Sequence, residues 1–128
     1  MSANSDSIDA PSDAAAQPRA NILLVDDEPA NLLALRSLLD GFGQNLIEAY
    51  SGEEAVRRMQ SDKFAVVLLD VRLPGIDGFE TARRIRGLPR SRNTPLIFLT
   101  GYDIDRSEIE LGYELGAVDF LVKPITPS

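Results

Sequence analysis

Three apolar runs in this chain stop abruptly at an acid or a hydroxyl, and that pattern constrains the fold more than any other feature. Asn21-Ile22-Leu23-Leu24-Val25 runs into Asp26-Asp27-Glu28, Phe64 to Leu69 runs into Asp70, and Leu96-Ile97-Phe98-Leu99 runs into Thr100-Gly101. Unbroken apolar runs of this length suit strands buried on both faces of a parallel sheet. Helical signals lie between them. Pro29 stands at a helix-opening position, Leu32, Leu35 and Leu39 follow at helical spacing, and Gly41 is a stop. Asn45 to Ala49 is a shorter strand, and Ser51 and Glu54 have capping-box spacing ahead of Ala55, Val56 and Met59. The turn-rich Leu73-Pro74-Gly75-Ile76-Asp77-Gly78 precedes a helix over Phe79 to Arg86. A last helix spans Ser107 to Leu115, and a last strand, Val118 to Val122, ends at Lys123-Pro124.

Five strands alternating with four helices imply a doubly wound α/β layer: a parallel sheet with right-handed crossovers and helices on both faces. Ligands in such sheets sit at the carboxyl ends of the strands. Asp26, Asp27, Asp70, Thr100 and Lys123 are all expected there, gathered on one rim although far apart in sequence.

Composition narrows the chemistry. With 128 residues, 44% of them hydrophobic, the chain is sized for one domain with an adequate core. A net charge of -7 argues against direct nucleic-acid binding, which draws on clustered Lys and Arg to neutralise phosphates. There is no Cys and no His, so disulfides, thiolate metal sites and imidazole acid-base chemistry are excluded. Carboxylates, hydroxyls and Lys remain. Residues 1–20, rich in Ser, Asp, Ala and Pro, carry no signal or transit pattern and read as a disordered leader. The apolar runs fall far short of the about 20 residues that span a bilayer. No membrane partner and a cytoplasmic location are therefore expected.

Three carboxylates converging on one rim raise each other's pKa unless a cation neutralises them. An all-oxygen set selects a hard ion, best Mg²⁺, with Mn²⁺ as an alternative, and Mg²⁺ shares phosphoryl oxygens with its substrates. A carboxylate flanked by a metal and by the Lys123 cation can attack phosphorus and become an acyl phosphate, and the Thr100 hydroxyl can bond a phosphoryl oxygen. Each residue also has a plainer reading. Asp26-Asp27-Glu28 would serve as a solvated turn at a helix N-terminus, Asp70 as a satisfied buried acid, Thr100 as a strand end, Lys123 as a surface cation and Phe120 as core. The basic run Arg83, Arg84, Arg86, Arg90 and Arg92 is most simply a solvated face. The conjunction of sites favours function.

Leu24-Val25-Asp26-Asp27-Glu28, Leu68-Leu69-Asp70-Val71-Arg72-Leu73-Pro74-Gly75-Ile76-Asp77-Gly78, Thr100-Gly101 and Phe120-Leu121-Val122-Lys123-Pro124 together resemble response-regulator receiver domains. The resemblance covers about Asn21 to Pro124. It implies a flavodoxin-like strand order of 2-1-3-4-5, with residues 21–128 as the receiver domain. It implies Asp70 as the phosphorylated residue, and Asp26, Asp27, Asp70 and the Arg72 backbone carbonyl as metal ligands. Lys123 would pair with the phosphoryl group, Lys123-Pro124 would be a cis peptide, and Thr100 and Phe120 would form the switch pair.

The chain departs from the family at Gly101, at Phe120 and after the Lys-Pro turn. Gly101 replaces a common Ala, Phe120 lacks the hydroxyl of a common Tyr, and Arg72 and Tyr102 occupy positions that tune phosphoryl lifetime. Nor does the sequence run on into the fifth helix that ordinarily follows the Lys-Pro turn. That helix is expected to be missing, leaving an apolar sheet face through which the chain would form a homodimer or a swapped oligomer.

The implied function is a signalling switch rather than a metabolic enzyme. It would take phosphate from a sensor histidine kinase or phosphotransfer protein, hydrolyse it slowly, and control an output domain in a longer protein. A metal-dependent phosphohydrolase would need a second acid near Asp70, where Val71 and Arg72 stand instead; a pure scaffold would not need the acidic set.

Overall fold

The computed structural model describes residues 18–123. Its five strands are β1 (Asn21–Val25), β2 (Asn45–Ala49), β3 (Val66–Asp70), β4 (Leu96–Thr100) and β5 (Ala117–Val122). They alternate with α1 (Pro29–Leu39), α2 (Gly52–Ser61), α3 (Gly78–Arg86) and α4 (Arg106–Glu114). The sheet is parallel throughout, in the order β2-β1-β3-β4-β5, as the resemblance implied. Four α-helices lie among the described residues, and none is long and apolar enough to cross a membrane.

Boundaries moved in a direction that matters for the site. Asp70 and Thr100 are the last residues of β3 and β4 rather than the first residues after them, while Phe64 packs in the core ahead of its strand. The register places Val25 beside Leu69, Asp70 beside Leu99, and Thr100 beside Val122. The carboxyl ends of β1, β3, β4 and β5 therefore share one edge. Of the expected leader, residues 1–17 lie outside the described residues. Ala20 accepts a bond from the Asn45 N–H at 2.9 Å and donates to Gln44 Oε1 at 2.6 Å.

Helix starts follow side-chain chemistry. Ser51 caps α2 by accepting from the Glu54 N–H at 3.0 Å, but Glu54 reaches back to the Tyr50 N–H instead of the Ser51 N–H, so the expected box is only half closed. The complete capping box is at α4, between Asp105 and Glu108. Asp77 caps α3.

The core divides across the sheet. One face packs Leu23, Val25, Val67, Leu69, Leu96 and Phe98 under Ala55 and Met59 of α2 and Phe79, Ala82 and Ile85 of α3, with Leu111 of α4 at its margin. The other packs Leu24, Leu68 and Leu99 against Leu32 and Leu35 of α1.

Candidate phosphoryl-acceptor site

Asp26 follows β1, where the chain leaves the sheet. Its Oδ1 accepts from the Glu28 N–H at 3.0 Å, a short turn that fixes the carboxylate before α1 begins. Asp26, Asp70 and Thr100 are buried, whereas Asp27 is exposed. One carboxylate oxygen from each of Asp26, Asp27 and Asp70 lies within 4.8 Å of the others. Asp26 Oδ2 is buried and has no hydrogen-bond partner. Burying a carboxylate oxygen without a donor is costly, so that orphan oxygen and the all-oxygen set fit a hard divalent cation.

Lys123 supplies the resident positive charge. Its Nζ lies 3.2 Å from Asp70 Oδ1 and 3.6 Å from Asp26 Oδ2, the second distance being an ion pair rather than a hydrogen bond. The Lys123 N–H donates to the Thr100 carbonyl at 2.7 Å, which extends the β4–β5 ladder by one step and fixes where the side chain begins. Burial opposes the charge on Lys123, yet Asp26 and Asp70 together outweigh it and hold its pKa above the ordinary value. Asp70 is pushed upward, first by burial and then by Asp26, with Lys123 and the Arg72 N–H only partly offsetting this. The protein's own donors and cations thus do not fully offset the charge of the carboxylates.

The turn after β3 is packed too closely for a side chain at position 78. A Cβ on Gly78 would stand 2.3 Å from the Asp70 carbonyl oxygen and 2.7 Å from Val71 Cα, both backbone atoms that cannot give way. The Gly78 N–H instead donates to the Val71 carbonyl at 2.9 Å, which holds α3 against the strand that carries Asp70. The Thr100 hydroxyl donates to the Gly101 carbonyl at 3.2 Å. Phe120 is half-buried, stacked on Phe98 at 5.3 Å and edge-on to Tyr113 at the same distance.

Asp26, Asp27, Asp70 and Lys123 thus meet at one point, with Thr100 buried on the adjacent strand end, while Phe120 packs against α4 at Gly112 and Tyr113. The Lys123-Pro124 peptide lies outside the described residues. The ion-pair partners of the Arg72 side chain are not legible in the sequence. That side chain pairs with Glu108 at 2.7 Å and with Asp103 at 3.3 Å, two acids that sequence alone leaves indistinguishable from solvated ones; the Asp105-x-x-Glu108 spacing could have marked Glu108 as a capping residue but not as the partner of Arg72. Nor is Arg86 part of a solvated basic face. Its guanidinium is partly buried and donates to the carbonyls of Leu115, Ser91, Thr94 and Gly116, tying α3 to the turn before β5. Arg83 and Arg84 do lie at the surface, paired with Glu80.

Residues 22–128 match the family model described as the response regulator receiver domain. The chain is 39% identical over 105 residues to the transcriptional regulatory protein AfsQ1 of Streptomyces coelicolor, covering 82% of this chain and 45% of that protein. The structure is similar to that of chemotaxis protein CheY4 of Vibrio cholerae, with a TM-score of 0.79, 29% identity, and coverage of 86% of this chain and 91% of that one. It is also similar to the receiver domain of sensor histidine kinase PA1611 of Pseudomonas aeruginosa, crystallised with a magnesium ion coordinated in its active-site cleft. There the TM-score is 0.74 and the identity 32%, with 84% of this chain and 87% of that chain covered. The chain spans less than half the length of AfsQ1.

Proposed function

Because this chain belongs to the response regulator receiver domain family, we propose that it is a phosphorylation-dependent switch whose acceptor is Asp70. The observation that carries this reading is the Lys123 ammonium placed between two buried carboxylates, one of which keeps an oxygen with no hydrogen-bond donor.

Asp26, Asp27, Asp70 and the Arg72 carbonyl would hold Mg²⁺, or Mn²⁺ in its place. When bound, the ion supplies positive charge for oxygens of the transferring group. An Asp70 carboxylate oxygen attacks phosphorus while the bond to the donor nitrogen of a phosphohistidine breaks, the nitrogen keeping the electron pair and taking up a proton. Lys123 bonds one phosphoryl oxygen, which turns its pairing from two carboxylates to an acyl phosphate. Thr100 gives up its bond to the Gly101 carbonyl and donates to another phosphoryl oxygen. Phe120 then repacks, and because it has no hydroxyl its two positions differ by packing alone. The acyl phosphate is lost by slow hydrolysis, so the chain acts as a regulator.

The donor in this reading is a sensor histidine kinase or phosphotransfer protein in the cytoplasm, and the readout is an output domain in a longer protein. The α1 face of the sheet, where Leu121 is 40% exposed beside β4, is the surface we assign to self-association, as a homodimer or swapped oligomer. A sedimentation profile showing monomer at every concentration would remove that part.

Intact mass after incubation with acetyl phosphate and Mg²⁺ tests the core of the reading. One added phosphoryl group that requires Mg²⁺ and is absent from Asp70→Asn is expected; no adduct on wild type, or an undiminished adduct on the variant, would overturn it.

A further inference from the structure

One residue joins the phosphoacceptor turn to the start of α4. The Arg72 N–H donates to Asp70 Oδ1 at 3.3 Å, while its guanidinium reaches across to the β4–α4 loop. There Nη1 and Nη2 donate to the two Glu108 oxygens at 2.7 and 3.0 Å, and Nε donates to Asp103 Oδ2 at 3.3 Å. This bidentate fork is the geometry in which Arg binds a carboxylate most specifically. The Glu108 carboxylate has a second duty: its Oε1 accepts from the Asp105 N–H at 3.2 Å and closes the capping box of α4. Arg72, and then the Asp105 N–H, hold the Glu108 carboxyl below its ordinary range.

One turn further along, α4 is held again. A Cβ at Gly112 would stand 2.3 Å from Phe120 Cζ, so the ring fills the place of a side chain there. Glu108 and Gly112 are four residues apart and lie on one face of the helix. The same face is therefore gripped by a charge pair from the acceptor turn and by the aromatic ring read above as part of the switch.

Resting on the phosphoacceptor reading, we infer that Glu108 is a positioning residue whose clamp on Arg72 biases the molecule toward its unphosphorylated arrangement. Turning Thr100 toward a phosphoryl oxygen moves the loop that carries Asp103 and leads into α4, and the fork loosens. A contact made in one state and not in the other shifts the equilibrium by its own free energy, and clamp and phosphoryl group oppose each other reciprocally. Both partners are partly solvated, so the bias is small, roughly two- to fivefold.

Glu108→Gln keeps an oxygen for the capping box and removes the charge. Two quantities are compared with wild type: amide hydrogen exchange at position 108 and at Ile109, and the apparent Kd for beryllofluoride with Mg²⁺, a phosphoryl mimic, followed by the Gly101 amide shift. Faster exchange and a Kd tighter by roughly two- to fivefold are expected, from the usual size of half-exposed ion pairs. Arg72→Gln should match it, the double variant should add nothing, and Arg72→Lys, which keeps the charge without the fork, should fall between. Equal Kd values in wild type and Glu108→Gln, or a tighter Kd with exchange unchanged, would overturn the coupling while leaving the acceptor assignment standing. Absence of beryllofluoride binding to wild type would instead defeat that assignment, and the coupling with it.

Discussion

The two faces of the sheet are held in very different ways. On one, three helices cover a continuous core in which Phe79, Phe98 and Phe120 pack ring against ring, with centroids 5.1 and 5.3 Å apart, and Arg86 ties α3 to the turn before β5. On the other, among the described residues, α1 is the one helix over Leu24, Leu68 and Leu99, to which it adds its own Leu32 and Leu35, and Ile22, Leu46, Val66 and Ile97 at the border are only partly buried. The difference teaches where each kind of change is absorbed. The three-helix face is interlocked, so it transmits a displacement; the one-helix face has slack.

The largest effect should come from the interlocked face. Phe98→Ala removes the ring on which Phe79 and Phe120 both pack, and is expected to cost about 3–5 kcal/mol in denaturant unfolding. A loss below about 1 kcal/mol would mean that this face also has slack. Arg86→Ala comes next, at about 3 kcal/mol, because the carbonyls of Leu115, Ser91, Thr94 and Gly116 lose their donor. Arg86→Lys should recover little, since one ammonium with three donors cannot serve four carbonyls spread along the guanidinium fork.

The acidic edge, where the two faces meet, should respond to metal and pH. Asp70 titrates higher in the fold than in the unfolded chain, because of burial and Asp26. The folded metal-free chain thus binds that proton more tightly, and the stability it contributes is present at low pH and lost as pH rises past the ordinary 3.8 and through the raised folded value. With a chelator at pH 7, Asp70→Asn should therefore melt above wild type, the gap closing on acidification. Mg²⁺ at a hundred times its Kd should stabilise wild type by about 2.7 kcal/mol and the variant by less. A variant that melts below wild type in chelator would show that Lys123 already balances the cluster. The smallest effect belongs to the one-helix face: Leu121→Ser should change stability by no more than about 0.5 kcal/mol. A loss several times larger would show that something covers this face in solution.

Much of this is legible in the sequence. Periodicity separates strands from helices because burial on both faces demands unbroken apolar runs, and Asp26, Asp70, Thr100 and Lys123 stood out because each ends such a run. Their gathering on one edge also followed from sequence, since parallel strands joined by helices all end on the same side. The grouping was less visible where the signal is local. Arg86 sits in a run of arginines whose other members are exposed, and nothing in the sequence marks which one turns inward. Glu108 looks like any acid in the first turn of a helix.

What the sequence determined by itself, then, was the order of elements and the acids at the strand ends, because those depend on hydrophobic period and chain direction. Only the tertiary structure decided that Arg72 spends its side chain on α4 and its backbone on Asp70. That choice depends on distances between segments some thirty residues apart, which no local pattern encodes.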